Sequence, residues 1–170
     1  MKQKILLVGL FMACSLGLSA QMVKIETQHL SLVMNAENGR HPQYVYFGSR
    51  LADADLPTLP VPTGGRMEVY PAYGLNTPAE AALAMRHADG NLSTDLVATG
   101  VDVQQERNAA VTTIHLKDPV YPMVVDLKYR AYNDVDMIEM WTEITNREKG
   151  NVTLTRFASA NLPIRRGDVR

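Results

Sequence analysis

Apolar and polar residues alternate along most of the chain after residue 20, with the period of two that is typical of half-buried β-strands. The clearest case is residues 125–131, where Val, Leu, Tyr and Ala face one way and Asp, Lys and Arg the other. Residues 138–145 repeat the alternation after an Asn133-Asp134 turn, which predicts an antiparallel hairpin. Further strands are predicted over β-favouring runs at residues 23–26, 30–34, 44–47, 67–70, 111–116 and 152–157.

Turn and loop residues separate the predicted strands and indicate the fold class. Asn35–Gly39 and Glu148–Asn151 supply residues that tolerate positive φ, and residues 56–65 hold three prolines and two consecutive glycines. Strands separated by such turns, without long helical patterns between them, favour an all-β fold over βαβ units. We therefore predict an antiparallel β-sandwich.

Residues 78–88 carry conflicting local signals. Thr77-Pro78-Ala79-Glu80 matches a capping box, with Thr at the N-cap and Pro at the first helical position, which favours a helix. The same stretch alternates from Leu83 to His87 and is followed by Asp89-Gly90, a hairpin signal that favours a strand. The sandwich context favours the strand, because packing in a sheet overrides local propensity.

The first twenty residues are typical of a bacterial signal peptide. Two early lysines form a positive n-region, the apolar run Ile5–Leu18 follows, and Leu18-Ser19-Ala20 offers small residues at a cleavage site. The apolar run is shorter than the roughly 20 residues that a membrane-spanning helix needs. The sequence therefore predicts a signal peptide over residues 1–20, a domain over 21–170, no membrane span, and export to the periplasm or the exterior of a bacterium.

Composition narrows the class of partner. Hydrophobic residues make up 46% of the chain and charged residues 21%, which fits a globular protein and excludes a disordered one. The 17 Lys and Arg residues against 18 Asp and Glu give a net charge of -1, so no basic field is present to hold nucleic acid. Cys14, the single cysteine, lies in the predicted signal peptide, so a packed core rather than disulfides has to stabilise the domain.

Motifs for catalysis and metal binding are almost absent from the sequence. The four histidines, at positions 29, 41, 87 and 115, are far apart, and none has the spacing of a metal site. The sequence contains neither a Gly-rich nucleotide loop nor a Gly-x-Ser-x-Gly motif, and cleavage of the signal peptide removes the only cysteine nucleophile. We expect no metal and no cofactor.

One group of residues has the chemistry of a sugar site. The alternation places Glu139, Trp141 and Glu143 on the outward face of one strand, so an aromatic ring lies between two carboxylates. Such a ring can stack against a sugar, and a glycosidase requires two carboxylates about 5–10 Å apart. The alternative is an ordinary solvated sheet face, which is the commoner setting for charged residues.

Five short segments between Leu30 and Ala160 follow one another in a distinctive order and spacing. They are Tyr46-Phe47-Gly48-Ser49-Arg50-Leu51, Val69-Tyr70-Pro71-Ala72-Tyr73-Gly74, residues 127–138, Glu143-Ile144-Thr145-Asn146 and Phe157-Ala158-Ser159-Ala160. Each segment alone is only moderately specific. In this order they resemble the N-terminal domain of glycoside hydrolase family 36, the bacterial α-galactosidases.

The resemblance implies a large β-sandwich, of the β-supersandwich type, that precedes a (β/α)8 barrel. In that family two aspartates of the barrel, a nucleophile and an acid/base, release terminal α-linked galactose from oligosaccharides with retention. No catalytic residue is therefore assigned to this chain. Because the chain ends at Arg170, before any barrel strand, we expect a non-catalytic domain, inactive alone, that supports folding, oligomerisation and substrate access.

The resemblance also implies partners and site residues. Family members assemble as dimers or tetramers, in which the loop after the Tyr-Pro-x-Tyr-Gly segment reaches the active site of a neighbouring subunit. Tyr70, Tyr73 and Asn76 occupy that region here and are the candidate contacts, in trans, to an α-galactoside. Family members run a strand and hairpin through the equivalent of Leu83–Val103, which again favours strand over helix. The alternative function is a free-standing secreted carbohydrate-binding or adhesion module.

Overall fold

The computed structural model describes residues 21–74 and 80–163, so the predicted signal peptide lies outside the described residues. Within these ranges the chain forms one short 3-10 helix, Asp53–Thr58, and nine strands. The strands are β1 Met22–Glu26, β2 Leu30–Asn35, β3 Gln43–Ser49, β4 Leu83–Arg86, β5 Val97–Gln105, β6 Ala109–Lys117, β7 Met123–Tyr132, β8 Ile138–Asn146 and β9 Thr153–Phe157. All ladders between these strands are antiparallel, which confirms the predicted all-β class.

The strands form three sheets. β1, β2 and β3 make one sheet in chain order, and β5, β6, β7 and β8 make a four-stranded meander. The third sheet joins β4 to β9, which are far apart in the sequence. β1 of the first sheet contacts β7 of the meander. The antiparallel sandwich that the alternation predicts is therefore present.

One hydrophobic core joins the sheets. Its buried members on the two larger sheets include Val23, Ile25, Leu32 and Met34 on one side and Ile114, Leu116, Val125, Leu127, Tyr129 and Ala131 on the other. Each fully buried large apolar side chain contributes about 1.5–3 kcal/mol relative to an exposed one. All four inward positions predicted for residues 125–131 belong to this core.

The β7–β8 hairpin has the predicted faces and a longer turn. Lys128 pairs with Trp141 and Arg130 pairs with Glu139, so the charged face of β7 lies beside the Trp face of β8. β7 ends at Tyr132 and β8 begins at Ile138, so residues 133–137 connect the strands instead of a two-residue turn. The alternation indicates the faces because only one side of this hairpin meets the core.

Residues 78–88, in which the helix and strand signals conflict, contain a strand. Residues Leu83–Arg86 form β4, which pairs with β9. Most of the capping-box motif, Thr77-Pro78-Ala79, lies outside the described residues. The turn at Asp89-Gly90 forms, with Gly90 at φ 91°, but it does not join paired strands. The expected hairpin over Leu83–Val103 is therefore wrong, because β4 pairs with β9 and β5 pairs with β6.

The predicted strand over residues 67–70 is also wrong. This segment makes a single antiparallel bridge, between Gln43 and Glu68, and no continuous ladder. Gly64-Gly65 before it and Pro71 after it keep the extended part short, since proline cannot donate to a ladder. The segment is nevertheless buried at Val69 and Tyr70 and belongs to the core.

Candidate functional site

The structure places the predicted substrate contacts in different environments. Tyr70 is buried, with 2% of its surface exposed, and its hydroxyl donates to the carbonyl of Ala158 at 2.9 Å. Tyr73 is 52% exposed. Asn76 lies outside the described residues. Tyr73 is therefore accessible to a ligand, whereas Tyr70 holds its segment against the C-terminal part of the sandwich.

Backbone contacts fix the position of Tyr73. Its N–H donates to the carbonyl of Leu83 at 2.8 Å, and its carbonyl accepts from the N–H of Thr94 at 3.0 Å. Gly74 follows with φ 98°, and a Cβ at this position would lie 2.5 Å from the Cα of Ser93. Both the positive φ and the close approach require glycine here. The exposed ring therefore projects from a rigid backbone.

A second exposed aromatic side chain lies on β9, which pairs with the other side of β4. Phe157 is 65% exposed and is the register partner of Leu83 in the β4–β9 ladder. The backbone of Leu83 thus bonds to Tyr73 and pairs with Phe157. Exposed aromatic rings of this kind provide apolar faces that can stack against a sugar or pack against a protein surface.

The Trp141 face is a network of ion pairs. The Arg130 guanidinium lies over the Trp141 ring, 5.1 Å from its centroid, and donates to Glu139 at 2.8 Å. Trp141 Nε1 donates to Glu143 at 3.2 Å, and Lys128 pairs with the same carboxylate at 2.9 Å. The hydrogen bond from Lys128 holds the pKa of Glu143 below its usual range. Since Arg130 covers the ring and both carboxylates are paired with cations, this face fits a solvated sheet surface better than a sugar platform.

Each of the four histidines lies beside a carboxyl group. The pairs are His29–Asp136 at 2.9 Å, His41–Asp95 at 2.6 Å, His87–Glu148 at 2.8 Å and His115–Asp126 at 2.7 Å. Across residues 21–74 and 80–163, no group of three or more His, Cys, Asp or Glu side chains is placed to hold a metal ion. The same ranges contain no helix long and apolar enough to cross a membrane. The histidines tie separate parts of the chain together.

The hydrogen bonds of His87 link a carboxylate, an imidazole and a hydroxyl in the same order as in a catalytic triad, but the group is not accessible to a substrate. Its Nδ1 lies 2.8 Å from Glu148 Oε1, and its Nε2 lies 3.0 Å from Thr94 Oγ1. The Tyr121 ring stacks on the imidazole with 3.5 Å between centroids. His87 and Thr94 are both 1% exposed. A nucleophile has to reach its substrate, so this cluster is structural.

Glu68 is a buried carboxyl group that the sequence analysis missed. Its side chain is enclosed, and its Oε1 accepts no hydrogen bond. Burial raises the pKa of Glu68 above the usual range. Its position between Met67 and Val69 has the pattern of an outward residue on a half-buried strand, so no signal in the sequence indicates its burial.

A polar cleft of about 750 Å³ opens at one end of the sandwich. Its cations are already paired: Lys24 lies 2.9 Å from Glu26, and Arg50 lies 3.3 Å from the same carboxylate. No aromatic ring is among the described residues that line it. Among the described residues the cleft therefore offers neither an unpaired cation nor a stacking surface to a ligand.

Comparison with known proteins adds the family context. The glycosyl hydrolase family 36 N-terminal domain matches residues 40–170. No curated protein matches the sequence significantly. The solved α-galactosidase AgaA from Geobacillus stearothermophilus superposes with a TM-score of 0.71 at 20% identity, covering 84% of this chain and 24% of that one. AgaB from the same species gives 0.69 at 20% identity, again with 84% and 24% coverage.

A third similar structure comes from another genus. The α-galactosidase from Lactobacillus brevis superposes with a TM-score of 0.68 at 16% identity, covering 84% of this chain and 24% of its own. The chain thus spans about a quarter of the length of these structures, with 24% covered in each. Variants of AgaA have been crystallised with raffinose and with stachyose. The structures share the fold of the described sandwich, and the match over residues 40–170 shows that the chain belongs to the glycosyl hydrolase family 36 N-terminal domain family.

Proposed function

We propose that the chain is the N-terminal sandwich of a retaining α-galactosidase that releases terminal α-linked galactose from oligosaccharides. The observation that carries this proposal is the family match over residues 40–170. The complexes of AgaA variants with raffinose and stachyose support galactose-capped oligosaccharides as the substrate class.

Within such an enzyme we assign the sandwich a non-catalytic role. Glu139 and Glu143 are paired with cations, and Thr94 is enclosed, so none of them suits an acid/base or a nucleophile. The family resemblance assigns both catalytic aspartates to a (β/α)8 barrel, and this chain covers 24% of AgaA. The sandwich would then support the folding of the enzyme and its assembly as a homodimer or homotetramer.

Tyr73 is the residue of this domain best suited to contact the substrate. It is exposed, and its backbone is fixed by hydrogen bonds with Leu83 and Thr94. In an oligomer the segment that carries Tyr73 would face the active site of a neighbouring subunit, and the Tyr73 ring would contact the galactoside. Tyr70 would position the segment through its bond to Ala158, and Asn76 is the third candidate contact.

We also propose that the protein is exported. The lysines, apolar run and small residues of positions 1–20 support a signal peptide and a periplasmic or extracellular enzyme. The absence of cysteine from residues 21–170 is compatible with an oxidising compartment, since no thiol is present there to be oxidised.

The mass and activity of the native product test the proposed function. An antibody against the sandwich would isolate the product from its source for intact-mass measurement and for assay with p-nitrophenyl α-galactoside. A product several times heavier than 18.8 kDa that cleaves this substrate would support the proposal. A product no heavier than 18.8 kDa that binds galactosides without cleaving them would contradict it and favour the carbohydrate-binding module.

A further inference from the structure

Three buried acceptor oxygens without a donor follow one another across β2, β3 and the segment that holds Glu68. Asn35 is the register partner of Gln43, and Gln43 is the bridge partner of Glu68. Directly paired residues of antiparallel strands place their side chains side by side on one face. Asn35 Oδ1, Gln43 Oε1 and Glu68 Oε1 are all buried and accept no hydrogen bond. Buried acceptors without a donor are rare in folded proteins, so this row needs a proton donor.

The Gln43–Glu68 pair has the geometry that brings side chains closest. Backbone hydrogen bonds of 2.7 and 2.9 Å join the residues that flank Gln43 and Glu68, whereas these two residues exchange no backbone hydrogen bond with each other. In an antiparallel ladder the side chains of such a non-hydrogen-bonded pair lie closer together than those of a hydrogen-bonded pair. The Gln43 amide nitrogen donates to the carbonyl of His41 at 3.3 Å. One N–H of the Gln43 amide is thus used, and its oxygen remains a buried acceptor without a donor.

Burial, rather than a neighbouring charge, has the largest effect on the protonation of Glu68. The charged groups that act on it are His41 and Asp95, which lie 2.6 Å apart and have opposite effects. β2 contributes Asn35, and the C-terminal segment contributes Asn161, neither of which titrates. Because the effects of the ion pair oppose each other, burial decides and raises the pKa of Glu68.

We propose that Glu68 is a neutral carboxylic acid in the folded domain and that its O–H donates to Oε1 of Gln43. One proton then satisfies two buried oxygens. The bond ties residues 66–71 to β3. The same residues are also joined to the C-terminal part of the chain, because the Glu68 carbonyl accepts a hydrogen bond from Asn161 Nδ2 at 3.2 Å. Loss of the proton leaves two acceptors facing each other and a buried charge. The Gln43–Glu68 pair is therefore a contact between residues 66–71 and β3 whose stability depends on pH, and we call this contact the latch. This property does not depend on the proposed function.

The direction of the pH effect follows from proton linkage. The folded domain keeps a proton that the unfolded chain releases near the ordinary glutamate pKa of 4.5. The stability from the latch is therefore fully present below that pH and is lost as the pH rises through the raised, folded-state pKa of Glu68. Within this window the unfolding equilibrium constant increases by up to about tenfold per pH unit.

Urea unfolding of the full chain between about pH 4 and pH 9 tests the latch, with Trp141 fluorescence as the signal. Glu68→Gln keeps the shape and a donor toward Gln43 but cannot ionise. We expect it to remove the part of the pH dependence that Glu68 causes, so that its unfolding constant falls below that of the wild type by about tenfold or more at alkaline pH. Glu37→Gln makes the same chemical change in the turn after β2 and should follow the wild-type profile.

Infrared spectroscopy reports the proton directly. We expect the wild type to show a protonated-carboxyl band at a pH above the ordinary glutamate range, and Glu68→Gln to lack it. If that variant does not fold, Gln43→Met removes the acceptor and should shift the frequency of the same band. Parallel pH profiles for wild type and Glu68→Gln, a wild-type spectrum without the band, or a band that neither variant alters would overturn the proposal.

Discussion

The carboxyl group of Glu148 lies 2.8 Å from Nδ1 of His87, although 61 residues separate the two in the sequence. The second oxygen of Glu148 accepts from the N–H of Ala88 at 2.9 Å, so one side chain satisfies two donors just after β4. The two side chains are 0% and 6% exposed. The loop between β8 and β9 is thereby fixed to the turn that follows β4.

Replacing Glu148 by Ala should destabilise the domain. The variant leaves the enclosed His87 Nδ1 without its acceptor, and an unpaired buried group costs about 1–3 kcal/mol. The N–H of Ala88, at an exposed residue, also loses its acceptor. Urea unfolding followed by Trp141 fluorescence measures the change in the free energy of unfolding. Glu143→Ala, which removes an exposed ion pair with Lys128, should cost less than about 1 kcal/mol. Equal losses in the two variants would contradict the role given to Glu148.

His115 should titrate above the ordinary histidine range. It lies 2.7 Å from Asp126 and 3.0 Å from Asp102, on the strands to either side. Burial alone would lower the pKa of His115, but the hydrogen bonds with these two carboxylates outweigh it and raise the pKa. Their stabilising effect is therefore fully present below the unfolded-state pKa of 6.5 and is lost as the pH rises through the folded-state pKa.

Asp126→Asn tests this assignment by NMR titration of the imidazole. We expect the variant to lower the pKa of His115, because Asp126 contributes the larger share of the upward shift. Asp102→Asn should lower it less. An unchanged pKa of His115 in Asp126→Asn would contradict the pairing across β6 and β7.

Gly74→Ala should destabilise the segment that holds Tyr73. Its Cβ would meet the backbone of Ser93 at 2.5 Å, in addition to the strain of φ 98°. Gly39→Ala is a matched control, since Gly39 has φ 77° but nothing within 4 Å of a Cβ. The control should cost about 1–2 kcal/mol from φ alone, and Gly74→Ala should cost more. Thermal unfolding of the two variants compares them, and equal costs would contradict the contact with Ser93.

Tyr73→Ala in the whole enzyme tests the proposed substrate contact. We expect kcat/KM for an α-galactoside to fall several-fold, with a stability change within about 0.5 kcal/mol because the ring is exposed. Phe47→Ala removes a similarly exposed ring from β3, 62% exposed, and should leave the kinetics unchanged. Unchanged kinetics in Tyr73→Ala would remove Tyr73 from the site.

The β7–β8 hairpin was predictable because one face of it meets the core and the other meets water. Its sequence therefore alternates at every position from Val125 to Ala131, and the faces follow directly. The pairing of β4 with β9 was not predictable in this way. Thr155 Oγ1 donates to the carbonyl of Ala84 across 71 residues, and nothing in either short strand specifies that partner.

The candidate site was predictable only in part, for a similar reason. The family resemblance indicates both Tyr70 and Tyr73 as candidates. The sequence does not distinguish the buried Tyr70 from the exposed Tyr73, because Pro71 interrupts the alternation between them. Glu68 was missed because its burial comes from packing with distant chain, including the segment of Asn161 that bonds to its carbonyl. Alternation reports the side of a sheet that a residue faces and carries no information on what covers that side.

The pairing of β4 with β9 has a consequence for the order of folding. β5 to β8 form through successive local hairpins, whereas β4 has to wait for a partner that the chain supplies only at Thr153–Phe157. Closing so long a loop costs chain entropy before any contact is gained, which makes this ladder a late event. We therefore expect substitutions in β9 to accelerate unfolding while leaving the refolding rate unchanged.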